Sequence, residues 1–256
     1  MRKIINIILV AIIIGCLSII GYKYYNYSKD NKLNSEIQDL QPVINEDGLG
    51  NTDSGDAGNN SSEENYGQDS SYVSNSANED ELKSINSDYK MWIQIENTNI
   101  NYPVVQGSDN DYYLKHNFRK ESNISGTVFV ESANDIDNDK NIILYGHNMR
   151  NGSMFQNLHK FEDEAFFKKH KEVYVYTPKK TYTYTIFAAY KFDDRHLLKT
   201  FNFKNKKKFE NYLRNVKNIR DMGSHVRKDQ EVTSNDKIIT LSTCVGGQPN
   251  NRYLVQ

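Results

Sequence analysis

Apolar positions divide the chain into three unequal stretches. From Ile4 to Tyr22 no residue carries a formal charge. Nineteen helical residues at about 1.5 Å each span roughly 28 Å, close to the hydrocarbon thickness of a bilayer. From residue 81 onward the pattern changes to short β-type runs at 91–95, 100–105, 126–130, 141–145, 172–177, 181–190, 237–243 and 252–255. Pro103 marks an edge or a strand start. Eight short strands separated by turn residues predict a closed or nearly closed β-barrel. Helical spacing is rarer. Short helical patterns occupy 79–89, 109–114 and 154–167. The clearest is 205–216, with Phe209, Tyr212, Leu213 and Val216 on one face. It lies inside an excursion, 192–232, between two strands. The expected fold is mostly β (α+β), an eight-stranded barrel with flanking helices behind a single N-terminal transmembrane helix.

Between these two regions the composition shifts. Residues 28–80 are rich in Asn, Ser, Gly, Asp and Glu, with twelve acidic and two basic residues, a net of −10. Such a stretch buries too little apolar surface to offset its ordering entropy and reads as a disordered spacer that stands the folded part off a membrane. Residues 1–27 carry +3, so the chain total of −1 leaves +6 on 81–256. A near-neutral protein therefore hides a mildly basic domain behind an acidic tether, which favours anionic cell-wall polymers or is simply a solvated surface. The expected organisation is a membrane anchor at 1–27, a spacer at 28–80 and a folded domain at 81–256.

Arg2 and Lys3 precede the apolar run, and the positive-inside rule places the N-terminus in the cytoplasm and the rest outside. Tyr22, Tyr24 and Tyr25 suit the membrane–water interface. A small-x-small cleavage site is missing after the run. Ile13-Ile14-Gly15-Cys16 is similar to a lipobox, but the apolar run continues through Leu17, Ile19 and Ile20. An uncleaved signal anchor is the preferred reading. Outside that run Cys244 is the one cysteine, so no intramolecular disulfide is available there.

Cys244 follows the β-type run Lys237-Ile238-Ile239-Thr240-Leu241, and His147 follows another, Ile142-Ile143-Leu144-Tyr145-Gly146. Arg252 opens the last run and can face Cys244 across a hairpin. Thiol, imidazole and guanidinium are the parts of thiol-based acyl transfer: a thiolate nucleophile, a proton carrier and an oxyanion donor. Position alone leaves the bland readings open, namely a structural thiol, a structural strand-end His and a surface Arg. The other histidines, such as those in Lys168-Lys169-His170-Lys171 and Asp194-Arg195-His196, read as solvent-facing. No metal or cofactor is expected. There is no His-x-x-x-His or Cys-x-x-Cys, and Asp135-Ile136-Asp137-Asn138-Asp139 lacks the Gly and closing Glu of a calcium loop. No Gly-rich phosphate cradle is present, and Lys206-Lys207-Lys208 reads as a solvated helix face rather than a nucleic-acid contact.

Thr240-Leu241-Ser242-Thr243-Cys244 with Arg252, and Tyr145-Gly146-His147-Asn148-Met149, resemble the signature of the sortases, cysteine transpeptidases of Gram-positive surfaces. Asn86 to Ile95, Ile100 to Gly107, Asp109 to Leu114 and Gly152-Ser153-Met154-Phe155 are similar to class B members, and the late helical excursion is a class B trait. The resemblance covers 82–256. It implies that Cys244 attacks the Thr carbonyl of an LPxTG- or NPxTN-type sorting signal on a surface protein. His147 then serves the leaving and incoming amines, and Arg252 binds the oxyanion. A peptidoglycan amine resolves the thioester. It further implies that Asn110, Leu114, Tyr145 and Ser242 line the substrate groove. Glu131-Ser132-Ala133-Asn134-Asp135 departs from the family's usual pattern. A Cys–His hydrolase on the same scaffold and a non-catalytic surface-binding module are the competing readings.

Overall fold

The computed structural model describes residues 2–42 and 76–256. Every expected strand run forms a strand: β1 (Tyr89–Gln94), β2 (Asn101–Val105), β3 (Val128–Val130), β4 (Asn141–Tyr145), β5 (Glu172–Tyr176), β6 (Thr181–Thr185), β7 (Ala188–Asp193), β8 (His225–Val226), β9 (Ile238–Val245) and β10 (Gln248–Val255). They make one sheet in the order β6-β5-β1-β2-β3-β4-β9-β10-β7-β8. The count is ten rather than the expected eight, for two reasons. The run 181–190 breaks at Ile186 and Phe187, whose side chains are both buried. A two-residue strand, β8, also arises inside the long excursion, too short to show a period in the sequence.

That break explains why the sheet curls. β6 is one end of the sheet and β7 lies next to the other end, yet only Ile186 and Phe187 join them. Three Cα–Cα steps reach at most about 11 Å. The sheet must therefore bend until its ends lie together. Ile186 N–H donates to Lys171 O (2.7 Å) and Phe187 N–H to Gln256 O (2.8 Å), tying the link to both ends.

The sheet is buried on both faces, which is why β4 reads Ile-Ile-Leu without alternation. Ile142 and Leu144 enter the main core with Ile93, Val104, Leu241 and Val255, and Phe155, Leu158 and Phe161 close it. Ile143 points the other way, to a second core with Phe187, Tyr190, Ile238 and Leu254. Helix α5 (Lys206–Lys217) covers that second core with Phe209, Tyr212, Leu213 and Val216, as its spacing predicts. Its N-cap is Asn205, whose side chain accepts from Lys208 N–H. The 154–167 pattern resolves into a 3-10 segment, Gln156–Glu162, and a short helix, α3 (Glu164–Lys169). A further short helix, α4 (Leu197–Thr200), follows β7, and the 109–114 pattern shrinks to a 3-10 turn at Tyr112–Leu114.

The N-terminal region differs most from the expected organisation. Helix α1 runs from Arg2 to Gln38 without a break at residue 27. Its first part exposes Ile4 to Tyr25 and is long and apolar enough to cross a membrane, a candidate anchor. Its last turns dock on the domain. Leu33 and Ile37, four residues apart and so on one helix face, are buried against Leu82, Trp92, Val105 and Phe118. Fully burying such a side chain stabilises by about 1.5–3 kcal/mol. The Asp30 carboxylate accepts from Ser125 Oγ (2.6 Å) and from Asn123 Nδ2. Gln38 Nε2 donates to Asn101 O (3.0 Å) and Asn101 Nδ2 to Gln41 Oε1 (2.7 Å). Helix α2 (Ser76–Ile85) packs beside it, and Asn78 Nδ2 donates to Gln41 O (3.3 Å). Residues 28–42 and 76–80, expected as spacer, are therefore part of the folded body. The rest of that expected spacer, 43–75, lies outside the described residues.

Candidate active site

β9 and β10 form a hairpin turning at Gly246-Gly247, where Gly247 adopts φ +72°. Its register sets Arg252 directly opposite Cys244 and Leu254 opposite Ser242. Leu241 and Val245 enter the main core, so alternation presents Ser242 and Cys244 on the opposite face. β4 runs parallel to β9 with Tyr145 beside Ser242. The contact continues past the strand end. Gly146 N–H donates to Ser242 O (3.2 Å), and Thr243 Oγ1 donates to Gly146 O (2.8 Å). His147 thus comes level with Cys244. Two pairings, one parallel and one antiparallel, assemble three side chains that the chain order holds far apart.

All seven expected site residues line one groove of about 360 Å³: Cys244, His147, Arg252, Ser242, Tyr145, Leu114 and Asn110. Phe129, Phe192, Leu197 and Leu254 supply its apolar wall. The Cys244 side chain is exposed. His147 Nε2–H donates to Leu114 O (2.9 Å), which holds the ring and leaves Nδ1 as its other nitrogen. One nitrogen of Arg252, Nη1, donates to Pro249 O (2.9 Å) and Asn251 O (3.0 Å), bracing the guanidinium on its own hairpin. Leu114 thus acts through its carbonyl as well as its side chain.

Gly146 is required by close approach. A Cβ there would lie 2.6 Å from the Phe155 ring, which is fully buried. Gly146→Ala is expected to lower stability by about 1–3 kcal/mol, the range for overpacking a core. Thermal unfolding of the variant checks this, and an unchanged midpoint would mean that Phe155 has room to move.

The residues behind the groove were not recognised from the sequence. The Cys244 carbonyl accepts from Asn148 Nδ2 (2.9 Å) and from His159 Nε2 (3.0 Å). His159 Nδ1 faces Glu162 Oε1 at 2.6 Å. These three fix the backbone of the cysteine from behind. His159 and Glu162 stand three apart on the 3-10 segment, a spacing visible in the sequence. Their target, a carbonyl on β9, is not.

A second cluster lies under the groove floor. Glu131 follows β3 and is 1% exposed. Its carboxylate accepts from Asn110 Nδ2 (2.7 Å), Tyr145 OH (3.0 Å) and Ala133 N–H (3.2 Å), and His196 Nε2 stands 3.0 Å away. Burial alone would raise the Glu131 carboxyl. The Asn110 and Ala133 donors, the neighbouring His196 and the Tyr145 hydroxyl outweigh it and hold the group below the usual carboxylate range. Burial and the Glu131 charge push the Tyr145 phenol up, against a smaller opposite pull from Arg252. Asn110 Oδ1 accepts from Ser132 N–H (2.8 Å), so this side chain is satisfied from within. His196, read from the sequence as solvent-facing, is only 29% exposed and lines the groove. The acidic segment 135–139 meets a lysine: Lys237 Nζ donates to Ile136 O (2.5 Å) and Asp137 O (3.1 Å).

A sortase-domain family model matches residues 93–256, from within β1 to the end of the described chain. Sortase B of Listeria monocytogenes is 39% identical over 166 residues, 64% of this chain, and the match spans just under two thirds, 65%, of that protein's length. The X-ray structure of Clostridium perfringens sortase B superposes with a TM-score of 0.64 at 43% identity, covering 69% of this chain and 96% of that one. Sortase B from Bacillus anthracis, solved in complex with AAEK1, gives a TM-score of 0.70 at 28% identity over 91% of this chain and 97% of that one. The curled sheet, the late helical excursion and the matched span agree, and the chain belongs to the sortase family, on its class B branch.

Proposed function

We propose that this protein is a membrane-anchored cysteine transpeptidase that attaches surface proteins to the cell wall. The single observation that carries the reading is the register that sets Arg252 opposite Cys244 and brings His147 level with it in one groove. Cys244 Sγ, as thiolate, attacks the Thr carbonyl carbon of a C-terminal sorting signal of LPxTG or NPxTN type. The carbonyl electron pair moves to oxygen, and Arg252 stabilises that oxyanion. When the peptide bond breaks, the leaving amine takes a proton from His147, and a thioester remains. A peptidoglycan amine then attacks the thioester, gives a proton back to His147 and expels the thiolate. Nδ1 of His147 suits this traffic because Nε2–H is occupied by Leu114 O. Asn110, Leu114, Tyr145 and Ser242 shape the groove for the signal. The apolar half of α1 crosses the cell membrane once, with the N-terminus in the cytoplasm and the catalytic domain outside.

The test is cleavage of a fluorogenic sorting peptide by the full chain in detergent, with and without an amine acceptor. A transpeptidase gives ligated product only when the acceptor is present. Hydrolysis that ignores the acceptor identifies a Cys–His hydrolase, and failure to cleave any sorting peptide identifies a binding module. Arg252→Ala is expected to lower turnover by about 10²–10³, the range for losing an oxyanion donor. A loss smaller than about threefold would remove Arg252 from that role.

A further inference from the structure

One wall of the groove continues past the end of a strand. Asp193 ends β7, and Asp194, Arg195, His196 and Leu197 continue along the groove before α4 begins. Within this wall Arg195 is spoken for: its Nε donates to Asp193 Oδ1 (2.7 Å), and its guanidinium covers the Phe192 ring. Leu197 is buried in the second core. The polar link from the wall to the floor is His196 Nε2 to Glu131 Oε2, 3.0 Å. The same carboxylate holds Asn110 and Tyr145, which stand on two further sides of the groove. Among the described residues His196 Nδ1 is buried without a hydrogen-bond partner, so Glu131 is the ring's only polar tether. Three separate pieces of chain, the 109–114 turn, the end of β4 and the 193–197 wall, therefore converge on one buried carboxylate. None of the proposed reacting groups touches it.

We infer that Glu131 and His196 form a latch that fixes the 193–197 wall against the groove floor and sets the width of the site for the sorting signal upstream of the scissile bond. The inference rests on the transpeptidase reading for its substrate, but not for its mechanical part. Both are positioning residues. The 3.0 Å approach of the His196 ring nitrogen to a buried carboxylate is an electrostatic contact whose loss leaves that carboxylate short of a partner. Between its two fixed ends, Asp193 in the β7–β10 ladder and the buried Leu197, the wall meets the floor through that contact and loosens when it goes.

The test compares wild type, Glu131→Gln, His196→Gln and the double variant as full chains in detergent. Each single change is expected to raise KM for a sorting peptide about tenfold and to leave kcat within about threefold. The double variant should be no worse than Glu131→Gln alone, because that change already removes the contact His196→Gln would remove. Additive effects, or a fall in kcat at constant KM, would overturn the latch. Amide hydrogen exchange of the 193–200 segment supplies a readout that needs no turnover. It should speed up about tenfold in both single variants, while β4 and β9 stay protected. Unchanged exchange in that segment overturns the latch even if the peptide is cleaved. If wild type cleaves no sorting peptide but exchange responds as expected, the substrate reading fails and the latch stands. His196→Gln alters a partly exposed wall residue, so it remains informative if Glu131→Gln does not fold.

Discussion

Cys244→Ala should abolish turnover of a sorting peptide, with kcat/KM falling by roughly four to six orders of magnitude. Without the sulfur no covalent acyl-enzyme can form, and the remaining groove can only bind. The side chain is exposed, so its removal leaves the core intact and the thermal midpoint should not move. Binding of the peptide should persist, because the apolar wall of Phe129, Phe192, Leu197 and Leu254 is untouched. The check is a paired measurement of cleavage and peptide affinity on the same preparation. Turnover within about a hundredfold of wild type would mean that the reaction does not pass through this thiol.

His147→Ala is expected to be nearly as damaging, about 10²–10⁴ in kcat, the range for losing a positioned acid–base group. It should slow both halves of the reaction, since one ring serves the leaving amine and the incoming one. Single-turnover acylation and the subsequent resolution by an amine can be timed separately, and both rates should fall. A variant slow in only one half would assign the other half's proton to a different group. The Leu114 carbonyl loses its partner in this variant but remains near the groove mouth, where water can replace the lost donor. A large stability loss is therefore not expected, and unfolding experiments distinguish the two causes.

The groove was legible where single short elements define it. Cys244, His147 and Arg252 each border an apolar run in the sequence, although β10 extends back to Gln248 and so places Arg252 within a strand rather than at its end. The register that joins them needed the structure, because a parallel pairing such as β4 with β9 leaves no local mark in either strand. Glu131 was illegible for a related reason. Its partners Asn110, Tyr145 and His196 come from three places in the chain, and only the fold makes one carboxylate their common acceptor. His196 sits among Asp194, Arg195 and Lys199, and such company looks solvated until a buried charge appears opposite. The strand count failed at Ile186 and Phe187, where an unbroken β-type run conceals a bend that brings the sheet's ends together. Averaged composition likewise hid the docked turns of α1. Lys29, Asp30, Asn31 and Lys32 read as spacer, and only the spacing of Leu33 and Ile37 betrays a buried face.

That docking changes how far the groove can reach. About one helical turn separates the last exposed interfacial tyrosines from Lys29 and Asp30, where the domain grips α1 through Glu121 and Ser125. If the apolar half lies in the bilayer, the enzyme stands on a post rather than a leash, and its height and compass bearing are both set by the post. The acidic tract 43–75 leaves from beside Gln41 and comes back beside Asn78, which touch, so changing its length would not move the groove. Adding two residues to the helix ahead of Lys29 would instead turn the groove by about 200° around the post, away from whatever neighbour it now faces.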